Sequence, residues 1–349
     1  MTTPWSLPDF DNHEEVQFIT NEKCGLKAII AVHSTHLGPA AGGARFWHYA
    51  EDEEALVDAL RLSRGMSYKN AMAGLPLGGG KSVILADKDR TKTPELLHAF
   101  GKAVDGLCGR YVTAEDVGIN VADMIEVSRS TKFVAGLPNS SGDVGGDPGP
   151  HTSLGVFLGI KAAVKWALGK DSLSGLYIAM QGAGSVATGV ALHACAEGAK
   201  LTIADVDQAK AQKLADATGG KVVSTDEILG LEADVVSPNA LGAILTEESI
   251  AALKSPIVAG GANNQLATPE DGKRLHARNV LYAPDYVINA GGIINVCTEF
   301  LGDGDLSLVR RRIEGIPRRL EQIWSEGAET GRDPAAVADA IAQRLIGRA

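Results

Sequence analysis

Cysteine is scarce in this sequence. Cys24, Cys108, Cys195 and Cys297 stand far apart and none belongs to a CxxC pair. That excludes a disulfide framework and a closed structural zinc site, and no metal is expected. Basic residues are in deficit, with 33 Lys and Arg against 43 Asp and Glu for a formal charge of −10. An acidic chain is a poor partner for phosphate backbones, so nucleic-acid binding is set aside. No apolar run reaches the ~18 residues that a membrane span requires. The acidic start MTTPWSLPDFDNHEEV also lacks the basic and apolar regions of a secretory leader. These absences lead us to expect a cytoplasmic protein with no membrane partner.

What the sequence does have is length, apolar residues and glycine. Its 349 residues are 45% hydrophobic, enough for a sizeable core and, at near 150 residues each, about two domains. The 41 glycines exceed average usage of ~7% and come in clusters, as where backbone nears a ligand or turns tightly. In the first part KAIIAVH (27–33) reads as a strand followed by the glycine loop LGPAAGGARFW, and an amphipathic helix covers 53–68. A second loop, AGLPLGGG, leads into a strand KSVILA that begins at Lys81; a helix follows around 94–104, then the strand and polar turn YVTAEDVGIN. The stretch PNSSGDVGGDPGP (138–150) has the composition of a hinge. Beyond it, helices at 154–168, 186–197 and 208–217 alternate with strands at 176–181 and 200–204, and KVVS, ADVVS, SPIVAG and NVLYAP extend the series. Such alternation predicts an α/β protein whose second domain is a doubly wound parallel sheet. The expected domains are 1–135 and 136–330, with a last helix, started by Asp333 and Pro334 within 331–349, packing back on the first.

LYIAMQGAGSVATG holds a G-x-G-x-x-A, with Gly182, Gly184 and Ala187 placed between a predicted strand and a predicted helix. The first glycine allows the turn, the second lets backbone approach a pyrophosphate, and the small third residue lets helix pack on strand. Ala183, Ser185 and Val186 complete a turn that would present unpaired N–H groups to that anion. Asp205 ends the next strand, 21 residues after Gly184, where a ribose-binding carboxylate is expected. Its charge favours NAD over NADP, and no arginine follows in VDQAK. The competing reading is a glycine turn beside a surface aspartate.

Two lysines and an aspartate are candidates for chemistry. Lys81 follows a glycine run and enters an apolar strand, which lowers an ammonium's pKa toward proton-transfer range. Lys69 follows the amphipathic helix in MSYKN. Either is equally readable as a solvated surface charge. Asp116 ends TAED and could exchange protons with an amine in a shared cleft, with Glu115 pointing the other way if the strand persists. It could equally be a cap or turn residue.

LGPAAGGARFW, MSYKNAMAGLPLGGGKSVI, TAEDVGIN, QGAGSVA, AGGANNQL and LYAPDYVINAGGIINV occur in that order from about Gly38 to Gly302. Together they resemble the leucine, phenylalanine and valine dehydrogenase branch of the glutamate dehydrogenase superfamily. The resemblance implies an N-terminal α/β domain for substrate binding and homo-oligomerisation, separated by a cleft from a Rossmann-like NAD domain. It implies NAD-dependent reversible deamination of a hydrophobic L-amino acid to a 2-oxo acid and ammonia. On the same basis Lys69 binds the substrate carboxylate, Lys81 activates water, and Asp116 exchanges protons with the amino group. Gly42 and Gly43 bring backbone carbonyls to the substrate amine. Asn264 and Asn289, with Asn263 beside them, contact the cofactor near the ribose and the carboxamide, and Thr152 touches the nicotinamide. Asn239 departs from the pattern, standing where relatives often have cysteine, which bears on the backbone contacts expected at Ala240.

Glutamate dehydrogenases carry a lysine before the glycine pair to hold the side-chain carboxylate; here that position is Ala41. With Met66, Ala114, Ile293 and Val296 it predicts an apolar pocket. Aliphatic and aromatic side chains stay open, because a methylene in such a pocket is worth only ~1 to 3 kcal/mol. A glutamate-specific or NADP-linked relative and an idle NAD-binding sensor are the alternatives.

Overall fold

A computed structural model describes residues 3–89, 91–137, 147–240, 242–302 and 305–348. The chain divides into two compact units, one of residues 1–146, 295–309 and 342–349, the other of 147–294 and 310–341. Residues 295–309, expected in the second domain, thus cluster with the first, and of the terminal helix only 342–349 do so. Most of the expected hinge, residues 138–146, lies outside the described residues.

In the first unit β1 (Glu15–Asn21) and β2 (Leu26–Ser34) form an antiparallel pair, and β2 pairs antiparallel with β5 (Gly78–Leu85). The other edge of β5 is shared by two short parallel strands, β3 (Ala40–Ala41) and β4 (Ala44–Trp47); β3 also pairs with β6 (Tyr111–Val112). The register along β5 is unbroken from β3 to β4, so Gly42 and Gly43 bridge the two opposite Gly80 and Lys81. Helix α1 (Asp52–Met72) covers one face, packing Ala55, Ala59 and Leu60 against Ile29, Ala31 and Val83. The other face takes α2 (Pro94–Gly106) and α3 (Val121–Ser128), with Phe100, Val104, Met124 and Val127 against Ile30, Val32 and Ile84. Because β2 is covered on both sides, every residue from Ala28 to Ser34 is buried and only Lys27 is exposed, which is why AIIAV reads as an unbroken hydrophobic run. Thr93 caps α2, and Asn120 with Asp123 forms a capping box on α3.

The glycine run expected as a loop is strand: β5 begins at Gly78, and Lys81 sits inside it. The physical reason is crowding. A Cβ on Gly78 would stand 1.9 Å from the Ser34 carbonyl oxygen, on Gly79 2.0 Å from the Ser67 nitrogen, and on Gly80 2.7 Å from the Tyr111 ring. Glycine here lets helix and neighbouring strands close onto β5 rather than breaking it.

The second unit begins with α4 (Gly149–Leu168). Strands β7 (Tyr177–Gln181), β8 (Lys200–Ala204), β9 (Lys221–Val222), β10 (Val235–Pro238), β11 (Ile257–Val258) and β12 (Leu281–Tyr282) pair in parallel in the order β12-β11-β10-β7-β8-β9. Numbered within the unit and read from β9, that is 3-2-1-4-5-6, the Rossmann order, with its switch point between β7 and β10. Connecting helices are α5 (Ser185–Ala196), α6 (Gln208–Thr218), α7 (Glu247–Ala252) and α8 (Pro269–Ala277). Then follow α9 (Asp285–Ile288), α10 (Gly291–Phe300), α11 (Leu306–Ile313), α12 (Ile316–Thr330) and α13 (Pro334–Leu345). Asp333 accepts from the Ala336 nitrogen at 2.9 Å, so Asp333 and Pro334 start α13 as expected. Among the described residues no helix is long and apolar enough to cross a membrane.

Candidate active site

Lys81 is buried in the middle of β5, and its Nζ lies 2.7 Å from Oδ2 of Asp116. Asp116 sits four residues past β6, in a turn closed by the Ile119 nitrogen donating to its carbonyl at 2.9 Å. The strand therefore does not persist to Glu115, and strand alternation does not set where that side chain points. Nor is Asp116 a helix cap, since Asn120 caps α3. Burial pushes the Lys81 amine below the usual lysine range, although Asp116 opposes the shift by its charge and hydrogen bond. For Asp116, burial acts upward, but the Lys81 ammonium and then the Arg45 guanidinium outweigh it and hold the carboxyl below its ordinary value. Burying a lysine ammonium costs of order several kcal/mol in lost hydration, so stability alone is a weak reason to keep Lys81 here.

Lys69 is half-buried in the last turn of α1. That turn is fastened to the sheet on either side of it. Ser67 backs onto Gly79 and its Oγ lies 2.7 Å from His33 Nδ1, while Asn70 Nδ2 donates to the Gly78 carbonyl at 2.6 Å and the Ala41 carbonyl at 3.4 Å. The fastening points lie within three residues of Lys81 along β5.

Gly42 and Gly43 are required by close backbone approach. A Cβ on Gly42 would stand 1.8 Å from the Gly80 carbonyl oxygen and 3.1 Å from Met66 Cγ; on Gly43, 2.4 Å from the Glu115 carbonyl oxygen and 2.9 Å from Asp116 Cβ. The Gly42 carbonyl already accepts the Tyr111 hydroxyl at 2.6 Å, and the Gly43 carbonyl faces the Ser82 nitrogen at 3.4 Å. Tyr111 is wholly buried, and burial pushes its hydroxyl up to about 12, so it stays a donor. The structure brings Ala41, Gly42, Gly43 and Met66 together around the start of β5, with the Ala114 carbonyl accepting from the Ala44 nitrogen at 2.8 Å. Val296 is buried in the first unit, near Gly136, whereas Ile293 is half-buried in the second.

Arg45 has no place among the residues anticipated from sequence. Its Nε is 3.2 Å from Asp116 Oδ2 and its Nη1 2.8 Å from Asp58 Oδ2; Asp58 also accepts from Tyr49 Oη at 2.6 Å. The available signal is strand alternation, since Arg45 is two residues from Gly43 and shares its side of the sheet. Arg45 also lines a cavity of about 760 Å³ with Trp47, Tyr49, Asp58, Arg61 and Val117.

In the second unit Gly182 follows β7 at φ 102°, and a Cβ there would meet the Asn239 carbonyl carbon at 2.8 Å and the Ala240 nitrogen at 2.9 Å. Gly184 is different: it is exposed at the N-terminus of α5, and a Cβ there would meet nothing within 4 Å among the described residues. Packing does not require this glycine, which leaves backbone approach by a ligand as its physical use. Ser185 is exposed and Val186 half-buried in the first turn, while Ala187 is fully buried against the sheet. Asp205 follows β8, its Oδ2 accepting from the Ala183 nitrogen at 2.7 Å and Oδ1 from the Asp207 nitrogen at 2.8 Å. Asn239 accepts from the Gly261 nitrogen at 2.9 Å and donates to Ser237, so it locks this loop by side-chain bonds. Asn289 donates to Asn263 Oδ1 at 2.8 Å while its own buried Oδ1 has no partner among the described residues. Asn264 is exposed at φ 51°. Thr152 spends its hydroxyl on the Pro148 carbonyl at 2.9 Å and lies against Gly292. The open glycine, the exposed N-terminus, the carboxylate after the second strand and the orphaned amide oxygen all fit a dinucleotide.

Two family models match the chain: Glu/Leu/Phe/Val dehydrogenase, dimerisation domain, over residues 12–133, and Glutamate/Leucine/Phenylalanine/Valine dehydrogenase over residues 202–340. The sequence is 44% identical to leucine dehydrogenase of Geobacillus stearothermophilus over 335 residues, 96% of this chain and 91% of that protein. It is 43% identical to valine dehydrogenase of Streptomyces albus over 344 residues, 98% and 94% of the two. The crystal structure of L-tryptophan dehydrogenase from Nostoc punctiforme matches with a TM-score of 0.86 at 42% identity, covering 96% of each chain.

Proposed function

The chain belongs to the glutamate/leucine/phenylalanine/valine dehydrogenase family, and we propose that this hydrophobic amino acid dehydrogenase uses NAD to deaminate its L-amino acid reversibly to the 2-oxo acid and ammonia. The observation that carries the reading is the pairing of buried Lys81 with half-buried Asp116, 2.7 Å apart. The second unit supports the cofactor choice, because a 2′-phosphate would face the Asp205 carboxylate.

Lys69 holds the substrate carboxylate and so fixes which face of the α-carbon reacts. Gly182 to Val186, Asp205, Ala240, Asn264, Asn289 and Thr152 would hold the dinucleotide, which would supply the hydride acceptor for the α-carbon. The substrate nitrogen is left as an imine. Lys81, its amine made available by burial, takes a proton from the water that adds to that imine. Asp116, having taken a proton from the substrate ammonium before the hydride leaves, returns it to the nitrogen of the water adduct; as the carbon–nitrogen bond breaks the freed carboxylate takes up the hydroxyl proton, so ammonia leaves and the 2-oxo acid remains. The two groups titrate as a pair, since each proton lost from Lys81 removes a charge from beside Asp116. Ala41 offers no counter-charge to an acidic side chain, and Met66 and Ala114 continue the apolar lining.

Assay of L-leucine, L-valine, L-phenylalanine, L-tryptophan and L-glutamate, each with NAD and with NADP at alkaline pH, tests the reading. Reduced nicotinamide forming with the hydrophobic substrates and NAD supports it. Faster turnover of glutamate than of every apolar amino acid, or preference for NADP, overturns it. The first family match is described as a dimerisation domain, and we infer a homo-oligomer built through the first unit, to be measured by light scattering.

A further inference from the structure

We propose that Arg45 is a positioning residue of the reaction: its guanidinium, backed by Asp58, fixes the Asp116 carboxylate on Lys81 and stays charged when Lys81 gives up its proton. The proposal rests on the deamination reading above and adds a residue to it.

The geometry is a ladder of alternating charge. Lys81 of β5 and Arg45 of β4 both bind Oδ2 of Asp116, at 2.7 Å and 3.2 Å. Both cations share one oxygen, and the Val117 backbone N–H also donates to this carboxylate. Arg45 is in turn fixed by Asp58 of α1 at 2.8 Å, and Asp58 is itself buried and held by Tyr49 and by Arg61 at 3.3 Å. The charged and titratable groups that act on Asp116 are thus Lys81 and Arg45, and those that act on Arg45 are Asp116, Asp58 and Tyr49.

A chemical asymmetry distinguishes the two cations. A lysine can act as a base only by becoming neutral, whereas a guanidinium keeps its charge at every pH of interest. If Lys81 alone held Asp116, the carboxylate would lose its counter-charge at the moment Lys81 turned over its proton, and would be free to swing or to take up a proton early. Arg45 leaves the two groups coupled but keeps one counter-charge on the carboxylate throughout. Its charge acts in the same sense on both partners, lowering Lys81 as well as Asp116. Loss of Arg45 therefore moves both titrations upward.

The competing role is purely architectural, with Arg45 serving only as a partner for buried Asp58. Arg45→Lys, Arg45→Ala and wild type are to be compared with L-leucine and NAD across pH, alongside the folded fraction and NAD affinity. We expect Arg45→Ala to lower kcat about 100-fold, the order seen when a reacting group is misplaced by an ångström, with NAD affinity unchanged. We expect the acid limb of its pH profile to move up by about one pH unit or more. Arg45→Lys should keep the limb near its wild-type position. Guanidinium added in millimolar amounts should restore part of the activity of Arg45→Ala, since the cavity beside Arg45 admits it. A wild-type limb and kcat in Arg45→Ala, or a loss that follows the folded fraction with an unmoved limb and no rescue, overturns the proposal. Wild type inactive on every hydrophobic amino acid overturns the deamination reading itself, and is seen before any variant is made.

Discussion

At the scale of single residues, the chemistry depends on one amine being less protonated than an ordinary lysine. Lys81→Ala should lower turnover by about 10² to 10⁴, the range for a lost general base, while NAD still binds, as a fluorescence titration will show. The sign of the pH effect follows from burial. Lys81 must be neutral to take a proton, so the rate should rise with pH through its lowered pKa and reach its plateau below the usual lysine range. A rate that climbs only where an exposed lysine titrates would contradict this. Lys81 and Asp116 were legible in the sequence because glycine before one and a short polar turn around the other are local signals. Arg45 was not: its importance comes from Asp116 and Asp58, which lie 71 and 13 residues away in sequence.

At the scale of elements, the two glycines of the nucleotide turn divide: packing requires Gly182 and does not require Gly184. Gly182→Ala puts a Cβ 2.8 Å from the Asn239 backbone at φ 102° and should lower Tm. Gly184→Ala meets nothing within 4 Å among the described residues, so it should fold with an unchanged Tm yet bind NAD more weakly. Equal effects of the two substitutions on Tm would refute the distinction. Gly79→Ala should destabilise by about 1 to 3 kcal/mol or more through overpacking against Ser67, read from denaturant midpoints. The long periodic elements, α1 and the β7-to-α6 series, could be read from sequence because their apolar spacing is sustained over many residues. The two-residue strands β3 and β6 carry no such period; β5 aligns β3, and β3 in turn aligns β6. The Gly78–Gly80 run misled for a related reason, since glycine's usual meaning as a loop former is overridden where neighbours leave no room for a side chain.

At the scale of the whole molecule, the chain's far end is tied to its beginning. Arg348 Nη1 lies 2.7 Å from His33 Nε2 and its Nη2 donates to the Asn12 carbonyl at 2.9 Å, while Gln343 donates to Tyr68 Oη at 3.1 Å. Burial, then the positive charge of Arg348, lowers His33 to about 3 from an ordinary 6.5. His13 is lowered by burial as well. In the folded state His33 thus stays neutral where the unfolded chain takes up a proton. Stability should be full above 6.5 and decline as pH falls from there toward 3. Chemical denaturation across that window should show a smaller decline for His33→Gln than for wild type; parallel slopes would count against the assignment.

The interleaving of the two units along the chain has a practical side. Exchanging the nucleotide half for another, to alter cofactor preference, cannot be done with a single cut. A graft must take 147–294 and 310–341 and return the recipient's own 295–309 and 342–349. A chimera cut once at 146 would deprive His33 and Asn12 of their arginine and leave the amino-terminal half without two of its own pieces.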